Sequence, residues 1–319
     1  MSERLLALAW AGAIAWPALL CLLAWLWFRS RRALGPASWT LIAIITLAWT
    51  LGIRAFLWEP ATLVVRRVDI VSPVWSGAPL RIGVLSDTHA GAPHMSPGRM
   101  RSIVARMNAE GADLIVLLGD YAGHHEPAHV RSDAERSSVM KGIAPLAGLE
   151  ARLGVHAVLG NHDWWYDGPA IEAALEGLGA SVLENEAVLV VREGGSFWLA
   201  GLADYESRRM LPSYSDTLAL VPAGAPVIAL SHWPDVFGAA PERVALTLAG
   251  HSHCGQVDLP FFGRLMHASE GSRRWPCGLY EERGRKLYVT GGVGVSILPV
   301  RFNQPPEIVV VTLRAAPQL

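Results

Sequence analysis

The chain has 319 residues, 51% of them hydrophobic, and a formal net charge of −1. That length holds one large domain or two small ones. The balanced charge excludes a bulk electrostatic case for nucleic acid, and none is expected as a partner.

The apolar excess lies before residue 60. Leu5 to Phe28, LLALAWAGAIAWPALLCLLAWLWF, carries no charge. As a helix it reaches about 36 Å, enough to cross a hydrocarbon core of about 30 Å. A second uncharged run, ALGPASWTLIAIITLAWTLGI, extends from Ala33 to Ile53. Trp10, Trp25, Trp27, Trp39, Trp49 and Trp58 cluster toward the ends, as interfacial anchors do. Both runs are longer than buried core helices or signal-peptide cores usually are. The pattern predicts a membrane anchor over residues 1–58, with spans at about 5–28 and 37–58. The short basic loop with Arg29, Arg31 and Arg32 favours the cytoplasmic side. Two spans then leave the remainder outside the inner membrane, in the periplasm. Arg54, Arg66 and Arg67 pull the other way. Cys21 falls in the first span, and Cys254 and Cys277 read as two separate thiols rather than a pair.

Residues 59–78 read as a linker and one strand, TLVVRRVDIVS, and residues 79–319 as one domain. In its first half, strands alternate with helices: RIGVLSDTH, a helix from Pro97 capped by Ser96, DLIVLLGDY, a helix over 131–147, VHAVLGNHD, and GPAIEAALEGLG stopped by Gly179. Such alternation predicts βαβ units and a partly parallel sheet. The second half is strand-rich: SFWLAGLAD, PVIALSHW, VALTLAGHSH, KLYVTGGVG and PEIVVVTL. It predicts a second sheet packed on the first. Continuous runs such as LIVLL are what strands buried on both faces look like.

Several of these strands end in metal-competent groups. They are Asp87 and His89 in LSDTH, Asp120 in LLGDY, Asn161 and His162 in LGNHD, His232 in ALSHW, and His251 and His253 in AGHSH. In open α/β sheets, sites form at the carboxyl ends of strands. Asp87 and His89, two apart on an extended segment, point to one side and can address one ion. A lone Asp120 has two oxygens and suits a bridge between ions. Imidazoles suit zinc, iron and manganese, and carboxylates suit harder ions.

The ordered set Asp87-Thr88-His89, Gly119-Asp120, Gly160-Asn161-His162-Asp163, His232 and Gly250-His251-Ser252-His253 resembles the calcineurin-like metallophosphoesterase superfamily. The resemblance covers about residues 79–315. The tail HSHCGQVDLPFFG resembles a membrane-associated or exported bacterial branch with a GHTHGGQ signature, with Cys254 in place of a glycine. The resemblance implies an α/β fold, a four-layer α/β/β/α sandwich preceded by the two transmembrane helices. It implies two divalent metal ions, manganese first, with iron or zinc as alternatives. Asp87, His89 and His253 would hold one ion, Asn161, His232 and His251 the other, and Asp120 would bridge. His162 and Asp163 would be catalytic, with His162 as general acid and Asp163 orienting it. Two such ions lower the pKa of bound water toward neutrality, and the hydroxide attacks phosphorus in line.

The expected activity is hydrolysis of a phosphodiester or pyrophosphate in a phosphorylated small molecule or lipid. The alternatives are a broad phosphomonoesterase, a UDP-2,3-diacylglucosamine pyrophosphatase-like enzyme if the domain faces the cytoplasm, and, last, a non-catalytic metal-dependent interaction module. Trp164, Trp165 and Tyr166 are either an apolar lip or packing. His124 and His125 read as a solvated loop. Arg208, Arg209, Arg273, Arg274 and Arg301 read as surface charge. Phe261 and Phe262 are placed near the membrane.

Overall fold

The structure, a computed structural model, describes residues 2–30, 35–123 and 126–317. Arg31, Arg32, His124 and His125 lie outside the described residues.

Short apolar runs form the strands. In chain order they are β1 (Val64–Ser72), β2 (Leu80–Leu85), β3 (Leu114–Leu117), β4 (Val155–Ala157), β5 (Ala180–Val182), β6 (Glu186–Val190) and β7 (Phe197–Gly201). They continue with β8 (Val227–Ser231), β9 (Val244–Ala249), β10 (Asp258–Leu259), β11 (Gly263–Arg264), β12 (Gly278–Glu282), β13 (Arg285–Val289) and β14 (Glu307–Ala315). Among the described residues they make two six-stranded sheets, β1-β14-β2-β3-β4-β5 and β12-β13-β9-β8-β7-β6, and the small hairpin β10-β11. Strands β2 to β5 run parallel, as do β7, β8, β9 and β13. Antiparallel neighbours flank both groups: β14 beside β2, β6 beside β7, β12 beside β13.

The sheets pack face to face. Ile82, Val84, Leu114 and Val116 from the first interleave with Leu199, Ile228, Leu230 and Leu248 from the second, all fully buried. Helices Pro97–Asn108, Asp133–Ile143 and Gly168–Gly177 cover the outer face of the first sheet. Ser96 caps the first of these, accepting from the Arg99 N–H at 3.2 Å, and Pro97 sits where its missing N–H costs nothing. A Ser132–Glu135 capping box starts the second. That helix ends at Ile143 and tightens into a 3₁₀ turn through Gly148, so it is shorter than the 131–147 expected. Among the described residues, the outer face of the second sheet carries short turns, Tyr214–Thr217, Pro234–Ala239 and Glu270–Arg274. The fold is the four-layer sandwich, with one thin outer layer.

Two other expectations are corrected. The residues after β4 do not stay a loop: Asn161–Tyr166 is a short helix, started by the Asp163 carboxylate accepting from the Gly160 N–H. Cys254 and Cys277 are not separate thiols but a disulfide, with Cα atoms 4.8 Å apart. The turn at His253–Gly255, with Cys254 in the left-handed region at φ 53°, folds back on the segment before β12. There the Ser252 hydroxyl donates to the Pro276 carbonyl at 2.7 Å, and the disulfide closes a separation of 23 residues that spacing alone leaves open.

The two amino-terminal helices, Ser2–Ser30 and Pro36–Ile53, are long and apolar enough to cross a membrane. Their spans are 0% and 6% buried, so among the described residues most of their apolar surface stays uncovered. Trp49 Nε1 donates to the Gly12 carbonyl and joins them. The second continues through a π-helical turn, Arg54–Trp58, to Ala61. Its end is bonded to the sandwich: the Arg301 N–H donates to the Ala55 carbonyl at 2.9 Å, and the Gln304 N–H donates to the buried Glu59 carboxylate at 2.6 Å.

Candidate dinuclear metal centre

Both sheets send the carboxyl ends of their parallel strands to one edge. Asp87 and His89 leave β2, Asp120 leaves β3, Asn161 and His162 follow β4, His232 follows β8, and His251 and His253 follow β9. All are buried. Side chains that usually face water have been gathered under cover, which is costly unless their charges are matched.

The backbone is bent to do this. Asp87, His89, Asp120, His251 and His253 all have positive φ, between 45° and 65°. Left-handed backbone costs an L-residue about 1–2 kcal/mol each, and such strain collects at functional sites. Gly160 is needed for close approach, since a Cβ there would overlap Asp120 Oδ1.

Two clusters share Asp120. In one, His89 Nε2 and His253 Nε2 lie 3.0 Å apart, and His253 Nε2 is 3.3 Å from Asp87 Oδ1. In the other, His251 Nδ1 and His232 Nε2 lie 3.1 Å apart, with Asn161 Oδ1 3.2 Å from His232 Nε2. Asp120 Oδ1 accepts from the His162 N–H at 2.9 Å, while Oδ2 lies 3.7 Å from His89 Nε2 and 3.3 Å from His232 Nε2. The Leu118 carbonyl, 2.7 Å from His232 Nδ1, can only accept, so Nδ1 carries the proton and Nε2 turns its lone pair inward.

These residues fit divalent metal ions. Ring nitrogens face each other in pairs, and Asp87 Oδ1 is buried without a hydrogen-bond partner. The donor atoms of Asp87, His89, Asp120 and His253, and those of Asp120, His232 and His251, lie within 4.8 Å of one another. With only side chains to balance charge, the strain is visible in the protonation. Burial lowers the His232 pKa, but Asp120 and Asp87 overcome it and push it up to about 10. Burial and His232 push His251 down to about 3. Burial works against the Asp120 charge, yet His232, His162 and His89 hold its carboxyl well below the usual range.

His162 borders the cluster. Its Nε2 is 3.9 Å from Asp120 Oδ2 and 3.4 Å from Ser296 Oγ, and its ring leans on Trp165 with centroids 4.9 Å apart. Asp163 accepts from four backbone N–H groups, those of Asp120, Tyr121, Ala122 and Gly160, at 2.8–3.0 Å. It braces the loop that carries Asp120 against the start of the short helix that carries His162. Burial and the Asp120 charge raise its pKa to about 7 against the pull of those donors. A cavity of about 300 Å³ opens on the cluster, walled by Trp165, Trp233, Met266, His267 and Ile297. Of the three aromatics in sequence, Trp165 lines the cavity, while Trp164 and Tyr166 are core.

Four contributors escape the sequence pattern. Asp204, buried after β7, accepts from Trp233 Nε1 at 2.8 Å, and Trp233 stacks on His251 at 3.9 Å. The sequence LAGLAD carries the same strand-then-acid signal as LLGDY. Gln256 clasps the Ser296 backbone from both sides, at 2.6 and 3.0 Å. Arg301, expected on the surface, is fully buried and donates to the carbonyls of Gly291, Gly294 and Gln304, its Nη2 lying 3.4 Å from His253 Nδ1. Arg209 and Arg274 are instead paired, with Glu172 and Glu184 and with Glu282.

A fold of two sheets carrying clustered Asp and His ligands at its strand ends defines a metal-dependent hydrolase class. The profile of the calcineurin-like phosphoesterases matches residues 80–255. The chain belongs to that family of metal-dependent phosphoester hydrolases. It is 30% identical over 251 residues to a transmembrane protein with a metallophosphoesterase domain from Danio rerio, a match covering 74% of this chain and 54% of the fish protein. A bovine protein of the same description is 28% identical, with 93% of this chain and 68% of that protein covered. Phosphodiesterase YaeI of Escherichia coli K12 is 27% identical, with coverage of 75% and 83%. The match thus spans about half the length of the zebrafish relative.

Proposed function

We propose that the chain is a membrane-anchored, dinuclear metal-dependent phosphoesterase that hydrolyses a phosphodiester or pyrophosphate bond. The observation that carries this reading is the pair of ligand clusters meeting at Asp120. Asp87, His89 and His253 would hold one ion, Asn161, His232 and His251 the other, with Asp120 between them. Manganese is the proposed metal, with iron or zinc as alternatives. Such ions supply charge to the phosphate oxygens and acidify water. His162, buried beside the cluster and held by Ser296 and Trp165, would keep a proton on Nε2 for the leaving oxygen. Asp163 would fix the Asp120 loop against the helix that carries Asn161 and His162. Trp165, Trp233 and Ile297 would exclude water and receive an apolar part of the substrate.

The diester reading is supported by the name of the Escherichia coli relative, and the anchor by those of the vertebrate relatives. A lipid substrate agrees with the apolar cavity and the exposed spans. The Cys254–Cys277 disulfide favours placing the domain on the oxidising, periplasmic side of the inner membrane.

The full chain in detergent micelles, supplied with manganese, is expected to hydrolyse bis(p-nitrophenyl) phosphate and to lose that activity on chelation. His162→Ala should lower turnover by about 10²–10⁴-fold at unchanged metal content. Turnover that persists with no metal bound, or a fully active His162→Ala enzyme, would refute the reading.

A further inference from the structure

We infer that the β10-β11 hairpin is a second membrane contact, an aromatic wedge that dips into the bilayer beside the second span and holds the cavity mouth at the lipid surface. This rests on the reading of the two amino-terminal helices as membrane spans.

The hairpin pairs Asp258 with Arg264 and Leu259 with Gly263, and its tip is Pro260, Phe261 and Phe262. Phe261 is fully exposed and Phe262 is 77% exposed. Phe261 also has φ 71°, a conformation that suits glycine in a turn. A large apolar ring in an exposed, left-handed position is poorly placed for a protein surrounded by water. It is well placed in an interface, where aromatic rings find both apolar and polar neighbours.

The occupant is identified by what the hairpin is tied to. Its base is fastened to the point where the second helix leaves its apolar stretch. The Asp258 N–H donates to the Phe302 carbonyl at 2.9 Å, and the Asn303 amide donates to the Asp258 carbonyl at 2.8 Å. The Arg54 guanidinium donates to Asn303 Oδ1 at 2.6 Å, and the Arg301 N–H reaches the Ala55 carbonyl. Val257 and Leu259 join Ala55, Phe56, Val300 and Phe302 in one small apolar cluster. Arg54 is the first charge after the uncharged run, and Trp58, one turn on, is 73% exposed. Both belong at headgroup level. The hairpin starts from that level with two bare phenylalanines at its tip and Leu265, 61% exposed, just beyond.

The same hairpin is continuous with the cavity. The chain enters it from Gly255 and Gln256 and leaves it through Met266, His267 and Ala268, and all five line the cavity wall. A phosphoryl group carried at the surface of a bilayer would therefore meet the cavity where the hairpin meets the lipid, without crossing open water.

The test places p-benzoylphenylalanine singly at positions 261, 262 and 220 of the full chain, reconstituted in vesicles of phosphatidylethanolamine and phosphatidylglycerol. Leu220 is 89% exposed but lies just before Val221, which packs with the first residues of β8 and β9, at the end of the sandwich remote from the cluster. After irradiation, lipid adducts are expected at 261 and 262, at least about tenfold above position 220, because binding at an interface follows buried apolar area. Protein that floats with the vesicles yet gives no excess of adducts at 261 and 262 overturns the wedge and leaves the anchor standing. Protein that fails to float overturns the anchor, and the wedge with it.

Discussion

The two halves of the ligand cluster are built to the same plan with different charge. The half made of Asp87, His89 and His253 has its own carboxylate, and the Arg301 guanidinium stands behind it, 3.4 Å from His253. The half made of Asn161, His232 and His251 has a neutral amide in the corresponding place. Behind it stand the Trp233 ring, stacked on His251, and the buried Asp204. Among the described residues, only Asp120 belongs to both. A carboxylate attracts a divalent ion more strongly than an amide dipole does, and the low-dielectric surroundings magnify the difference. The halves should therefore differ in affinity while depending equally on one shared side chain.

The largest effect is expected from that shared position. Asp120→Asn removes the charge common to both halves, and turnover should fall below that of any variant confined to one half, measured on the same aryl phosphodiester. Were a His232→Ala enzyme less active than Asp120→Asn, the halves would not be joined as described. A smaller effect sharpens the comparison directly. Stepwise chelation followed by metal counting should release the two ions at separate chelator concentrations, the amide-containing half emptying first. Release in a single step would mean that the difference between Asp87 and Asn161 has no thermodynamic consequence.

The smallest effect concerns the disulfide next to His253. Its loop spans 23 residues, and replacing Cys254 and Cys277 together with alanine should lower stability by about 2–4 kcal/mol, read by urea unfolding. Thiols trapped in intact cells should show the pair oxidised. Two free thiols there would argue for the cytoplasmic side and against the proposed orientation.

The gathering of these side chains was legible in the sequence because each follows an apolar strand, and strand ends of a parallel sheet converge. The layered sheets were legible for the same reason: runs such as LIVL and VALTLA are buried on both faces. What the sequence did not carry depends on contacts distant in sequence. Arg301 looks like surface charge, as arginine usually is, and only the carbonyls of Gly291, Gly294 and Gln304 make it a buried brace. The pairing of Cys254 with Cys277 depends on a left-handed turn that no spacing rule reports. Asp204 did carry a local signal, but its meaning comes from Trp233 and His251, which follow the next two strands of the sheet. Strand β5, at three residues, is too short for a periodic pattern to declare.

The central claim is that two cations share Asp120, and counting manganese in the full chain beside its Asp120→Asn variant tests it most directly. Two ions per chain are expected in the parent at saturation and fewer than one in the variant. A parent that never exceeds one ion, or a variant that still holds both, would contradict it.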